Sequence, residues 1–186
     1  MQLGPHRLEN PWILAPMAGV SEMPYRVIAL RVGAGAAPTE LVSAKGLLLG
    51  QERTRRYLEH SPVETPFWVQ IFGGEPEVMA KGAAAAKVLG AEIIDVNMGC
   101  PVRKVTRNGA GSALLQDPER AARIVEAIRI ETNLPVTVKI RAGWDEHSRN
   151  YVELAKALEN AGACAIAMHA RTREQAYTGE ADWSLI

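Results

Sequence analysis

Six short and almost continuously apolar runs recur along the chain, at residues 13–17, 37–42, 67–72, 92–97, 136–141 and 164–169. Runs of this length without strict alternation mark strands covered on both faces. Helical signals fill the gaps between them. Ser21 stands where it can cap a helix over 21–32, with Gly33 behind it, and Glu75-Pro76 opens a helix that ends before Gly90. Asp117-Pro118 sets an N-cap before a proline at the first helical position, and Ile124, Val125 and Ile128 then recur at helical spacing. A further helix is expected over 148–161, closed by Gly162. Residues 2–10 read as a small strand pair ahead of the first main strand. Strands that alternate with helices imply a parallel sheet, because the helix is the crossover that joins parallel neighbours.

An open doubly wound sheet and a (β/α)8 barrel both satisfy this pattern. The open sheet usually holds a nucleotide at a glycine-rich first turn, yet the first turn here is Pro16-Met17-Ala18-Gly19-Val20. Gly33-Ala34-Gly35 and Gly109-Ala110-Gly111 lack the third glycine and the strand-to-helix setting of that fingerprint. The barrel also accounts for the polar residues at strand ends, where such folds place their chemistry. A complete barrel takes about 250 residues and about eight strands. The expected fold class is therefore α/β, a (β/α)8 TIM barrel present only through about the sixth strand. Residues 1–186 are expected to form one incomplete barrel domain.

Composition narrows the function classes. A formal net charge of +0 does not announce a strongly basic nucleic-acid binder, although local patches remain open. Cys100 and Cys164 form no CxxC pair, which fits a reduced compartment. The N-terminus lacks the basic and apolar regions of a signal peptide. No apolar run approaches the roughly 18 residues of a membrane span. A cytoplasmic protein is expected.

Chemistry concentrates at the strand ends. Asn97-Met98-Gly99-Cys100-Pro101 puts a carboxamide and a thiol on a turn just past a strand. Asp95 shares a strand face with Asn97, and Lys139 shares one with Arg141, because alternate strand residues point the same way. Gln70 and His169 end other runs. A lysine in such a run needs an anion or an electron-rich ligand beside it, or a filling ion pair with Asp95. Cys100 is open to four readings: nucleophile, metal ligand, protonated general acid or core residue. Metal binding lacks a His/Cys spacing to support it. Cys164 opens an apolar run and is expected to pack. Arg103, Lys104 and Arg107 follow the Cys100 turn, while Arg171 and Arg173 follow His169. They suit either a phosphate-binding rim or a solvated loop.

Several stretches together resemble the tRNA-dihydrouridine synthases, most closely the bacterial B-type branch. They are Ala15-Pro16-Met17-Ala18-Gly19-Val20, Gln70-Ile71-Phe72-Gly73, Asp95-Val96-Asn97-Met98-Gly99-Cys100-Pro101, Gly109-Ala110-Gly111-Ser112-Ala113-Leu114, Lys139-Ile140-Arg141-Ala142-Gly143-Trp144 and His169-Ala170-Arg171-Thr172-Arg173. The resemblance implies a (β/α)8 barrel followed by a helical tRNA-binding domain. It also implies an FMN enzyme in which reduced flavin, recharged by NADPH, delivers hydride to uracil C6 in tRNA while an acid protonates C5. By the same resemblance Cys100 is the proton donor. Pro16, Met17, Ala18, Gln70, Lys139 and His169 face the flavin. Asn97 and Arg141 face the target base, and Arg103 and Lys104 hold the RNA backbone. The later strands that bind the FMN phosphate in this family have no counterpart in this sequence, nor does the helical domain. Poor FMN binding and loss of normal activity are expected of the chain alone. Two other readings stand beside this one: a flavin barrel acting on a free pyrimidine, and a non-catalytic RNA-binding barrel.

Overall fold

A computed structural model describes all 186 residues. The chain opens with an antiparallel pair, β1 (Gln2–Leu3) and β2 (His6–Arg7). Then follow α1 (Met23–Arg31), β3 (Val42–Ser43), α2 (Ala44–Leu48), α3 (Glu52–Arg56) and β4 (Trp68–Phe72). Next come α4 (Pro76–Val88), β5 (Ile93–Asn97), α5 (Arg103–Thr106), α6 (Pro118–Thr132), β6 (Val136–Arg141), α7 (Tyr151–Asn160) and β7 (Ala165–His169). Strands β3 to β7 form one five-stranded sheet in sequential order, and every neighbouring pair is parallel. Sequential order is what successive β/α units of a barrel produce, in contrast to the reversed order of a doubly wound sheet. The fold is α/β, of the (β/α)8 TIM-barrel class.

The first two expected strands are much shorter than their apolar runs. Residues 13–17 contribute one isolated bridge, Ile13 to Ala36, and residues 37–42 reach the sheet only at Val42. Each run contains a proline, Pro16 or Pro38, which has no N–H to give to a ladder. Single bonds from Leu14 N–H to Ala36 O and from Thr39 N–H to Trp68 O keep these segments beside the sheet.

Helix ends follow local chemistry, with two departures from expectation. Asp117 caps α6 as its sequence implies, accepting from Arg120 N–H at 3.0 Å. Ser21 does not cap α1. It is fully buried, its Oγ accepts from Met17 N–H at 2.9 Å, and Glu22 takes the N-cap position without a side-chain bond. The helix expected from 148 starts at Tyr151, because Asp145 and Ser148 cap each other around a separate turn at Glu146–Ser148. The short helices α2, α3 and α5 carry too few apolar repeats to be read from periodicity.

The core lies between the sheet and the helices. Ala121, Ile124, Val125 and Ile128 form the buried face of α6 and join Val69, Ile71, Ile94, Val96, Val138 and Ile140 from the strands. A second cluster closes the N-terminal end of the strands, where Leu3 and Leu8 meet Trp68 and Ile93. The opposite, C-terminal end is left for polar residues. β7 has only one neighbour, and its residues are partly or wholly exposed. Cys164, expected to pack, is exposed there because the sheet edge offers nothing to cover it.

A buried ion pair that periodicity does not announce pins α1. Arg26 and Glu64 are 1% and 3% exposed at their side chains. Arg26 also donates to Ser21 O and Glu59 O, both at 2.8 Å, and Glu64 accepts from Ser61 N–H at 2.8 Å. Removing one partner strands the other charge. Glu64→Gln is expected to cost about 3–5 kcal/mol in urea unfolding. Arg26→Met combined with Glu64→Leu should recover most of that loss.

Candidate active site

Parallel register brings residues from different motifs side by side. Gln70 pairs with Asp95 and Asp95 with Thr137, making one row across three strands. Asn97 pairs with Lys139, and Arg141 with His169, nearer the C-terminal ends. Beyond those ends lies a cleft of about 250 Å³. Pro16, Met17, Ala18, Asn97, Cys100, Lys139, Arg141 and His169 line it, together with Tyr177. Gln70 does not: it is 1% exposed and lies beneath the cleft, bonded to Asp95 and Asn97. Arg103 and Lys104 are exposed on α5, immediately after the cleft-lining Pro101 and Val102.

The Cys100 turn is held from three sides. Asn97 Oδ1 accepts from Gly99 N–H at 3.2 Å and from Cys100 N–H at 2.9 Å, folding the backbone back over its own side chain. Ser112 donates to Cys100 O from its hydroxyl at 2.9 Å and from its backbone N–H at 3.1 Å. Gly111 makes this approach possible. Its φ is +58°, and a Cβ there would lie 2.8 Å from Cys100 O. The Gly109-Ala110-Gly111-Ser112 stretch thus buttresses the cysteine turn.

Arg141 fastens the far wall. Its Nε donates to Gly99 O at 2.7 Å, and its Nη1 donates to Thr172 O at 2.9 Å and to Ala176 O at 2.8 Å. Its guanidinium carbon also sits 5.5 Å from the centre of the Tyr177 ring. Much of this side chain is therefore spent on joining two loops, with Nη2 left out of those bonds. The role of Tyr177 carried no sequence signal beyond its nearness to His169.

Lys139 makes no hydrogen bond or salt bridge within the protein. The filling ion pair with Asp95 does not form, since Asp95 takes its bonds from Gln70 and Thr137. Burial lowers the Lys139 pKa and Arg141 adds to that push, while Asp95 opposes both. His169 feels the same surroundings. Burial, then Arg141, Lys139 and Arg171, bring its pKa from 6.5 down to about 4. Arg171 Nη1 stands 3.1 Å from His169 Nε2, which suits a neutral imidazole accepting at that nitrogen. The cleft thus offers cations, an uncharged imidazole and a partly exposed thiol. Such a lining favours an electron-rich or anionic ligand.

A fold of this class with a cationic cleft at the strand ends is a common enzyme scaffold, so the family rests on comparison. A family model for dihydrouridine synthase (Dus) matches residues 13–186, and the chain belongs to that family. It is 46% identical over 186 residues to tRNA-dihydrouridine synthase B of Pseudomonas aeruginosa, covering 100% of this chain and 56% of that protein. It is 43% identical over 181 residues to a probable tRNA-dihydrouridine synthase of Rhodobacter capsulatus, covering 97% of this chain and 56% of that protein. The chain therefore spans about half the length of the curated relatives it matches. Among solved structures, histamine dehydrogenase from Rhizobium sp. 4-9 superposes with a TM-score of 0.52 at 13% identity, covering 95% of this chain and 39% of that one. The 2,3-dimethylmalate lyase structure gives 0.51 at 17% identity, covering 87% and 58%. These likenesses show the fold. No helix is long and apolar enough to cross a membrane.

The His169 surroundings give a pH dependence with a definite sign. Between pH 6.5 and about 4 the unfolded chain binds a proton that the folded chain refuses. Stability therefore falls as the pH drops through that window and levels off below it. Histidine ring NMR should show a midpoint near 4 for His169. Lys139→Met should raise it, and His169→Gln should remove its part of the acid-side loss.

Proposed function

We propose that this chain carries the flavin- and base-facing side of an enzyme that reduces specific uridines in tRNA to 5,6-dihydrouridine. FMN would be the cofactor and NADPH the reductant. The observation that carries the reading is the placing of Cys100 and the unpaired Lys139 in one cleft, in a chain of the dihydrouridine synthase family. The residues present fit a flavin. Lys139 offers a free cation, Ala18 offers a backbone N–H without a partner in the protein, and His169 is uncharged. When bound, FMN supplies the two-electron chemistry that no side chain here can provide.

The protein's own residues have separable tasks. Lys139, without a partner in the protein, would hold a bound flavin and stabilise the negative charge it gains on reduction. Pro16, Met17 and Ala18 form the opposite lip, shaped by Ser21, which bonds Met17 N–H. The Cys100 thiol gives its proton to uracil C5 as C6 receives hydride, and the thiolate is reprotonated from solvent. The target base must leave its stack to enter such a cleft. Exposed Arg103 and Lys104 then hold phosphates beside the entrance without selecting a sequence.

The test uses a chimaera in which residues 1–186 are continued by the remaining part of the Pseudomonas aeruginosa relative. Cys100→Ala in that chimaera should lower dihydrouridine formation by about 10²–10⁴-fold while FMN and tRNA still bind. Undiminished turnover would remove Cys100 from the chemistry. Turnover that survives digestion of the tRNA to nucleosides would favour a free-pyrimidine enzyme instead. A separate absorbance measurement checks the cofactor site. After mixing with FMN and desalting, the chimaera should stay yellow and the 186-residue chain should emerge nearly colourless.

A further inference from the structure

Beneath the cleft, a line of buried polar groups runs from β4 across β6 and back to the cysteine turn. Trp68 Nε1 donates to Thr137 Oγ1 at 3.1 Å, and the Thr137 hydroxyl donates to Asp95 Oδ1 at 2.5 Å. From the other side, Asn97 Nδ2 donates to Gln70 Oε1 at 2.9 Å, and Gln70 Nε2 donates to Asp95 Oδ2 at 2.6 Å. Asp95, Gln70 and Thr137 are 4%, 1% and 2% exposed, so water offers no alternative partner.

The direction of every bond follows from the two ends. The indole N–H can only donate, so Thr137 accepts it and turns its own proton toward Asp95. The backbone N–H groups of Gly99 and Cys100 can only donate, so Asn97 must show them its oxygen. Its amino group then faces Gln70, which must answer with its oxygen and send its own amino group on to Asp95. Donors arrive at the carboxylate from both sides, and only a group that accepts at both oxygens completes the line.

We infer that Asp95 is a positioning residue whose carboxylate sets the polarity of this line and thereby locks Asn97 onto the Cys100 turn. It touches neither the thiol nor the cleft. Burial pushes its pKa up, while Gln70, Thr137 and Lys139 push it down. A proton on either oxygen would displace one of the arriving donors, so the acceptor state is the one the geometry uses. The consequence for catalysis rests on Cys100 being the acid of the proposed reaction. The polarity argument does not, and its test reads the backbone rather than turnover.

A carboxamide at position 95 accepts from one side only. A donor aimed at Thr137 would leave the buried Thr137 hydroxyl proton without the acceptor it now has in position 95, so the amino group falls toward Gln70 and turns that half of the line around. Asp95→Asn should then speed amide hydrogen exchange at Gly99 and Cys100 by about tenfold or more, the size expected when a buried bond of this kind is lost. Ladder amides of β5 should not change. Gln70→Glu alone sets two carboxylates against each other and should act similarly. Asp95→Asn combined with Gln70→Glu moves the acceptor one residue along. The carboxylate now at position 70 would accept from the carboxamide at position 95 on one side and from Asn97 on the other. The carboxamide oxygen at position 95 would still accept from Thr137. The double variant should therefore regain most of the protection. A role in mere packing or burial predicts additive damage instead. Full protection in Asp95→Asn overturns the proposal, as does a double variant no better protected than either single one. If a single variant does not fold, a folded and protected double variant supports the proposal, and an unfolded double variant overturns it.

Discussion

Where Gln70 pairs with Asp95 and Asp95 with Thr137, three strands put polar side chains into one buried layer beneath the cleft. Burial there carries a penalty unless each polar atom finds a partner. The penalty is met by a single connected set of bonds that ends on the backbone of Gly99 and Cys100. The same register that satisfies the sheet therefore places the thiol. A shift of one residue would send Gln70, Asp95 and Thr137 to the other face and leave the cysteine turn without its anchor.

Above this layer the protein concentrates positive charge. Burial, and then Arg141, Lys139 and Arg171, lower the His169 pKa from 6.5 to about 4. Their duties differ, however. Arg141 is largely committed to Gly99, Thr172 and Ala176, while Lys139 has no partner in the protein. One cation shapes the cleft and the other is free to meet what enters it. The division explains why two basic residues on the same strand face are not interchangeable: a guanidinium can join several carbonyls at once, and an ammonium is a compact charge.

Much of the fold was legible in the chain. The runs at 67–72, 92–97, 136–141 and 164–169 became β4 to β7 with small changes at their ends. The α6 cap at Asp117 and the buried face of that helix matched their spacing. The failures also have causes. Pro16 and Pro38 broke runs whose hydrophobicity suggested full strands, and the Ser21 hydroxyl turned inward to Met17 instead of capping α1. Alternation within β5 and β6 told that Asp95 and Asn97 share a face, as do Lys139 and Arg141. It did not tell that Asp95 would bond Gln70 and Thr137 rather than Lys139.

By itself the sequence determined the order of strands and helices and the motifs that carry the family resemblance. These depend on local periodicity and on residue types within a few positions of one another. Only the tertiary structure decided which polar groups pair. It committed Arg141 to backbone carbonyls, placed Gln70 below the cleft rather than in it, and let Ser112 support Cys100 across the close approach that Gly111 permits. Such choices are settled by distances between segments far apart in the chain, where donors and acceptors compete inside a space that water does not share.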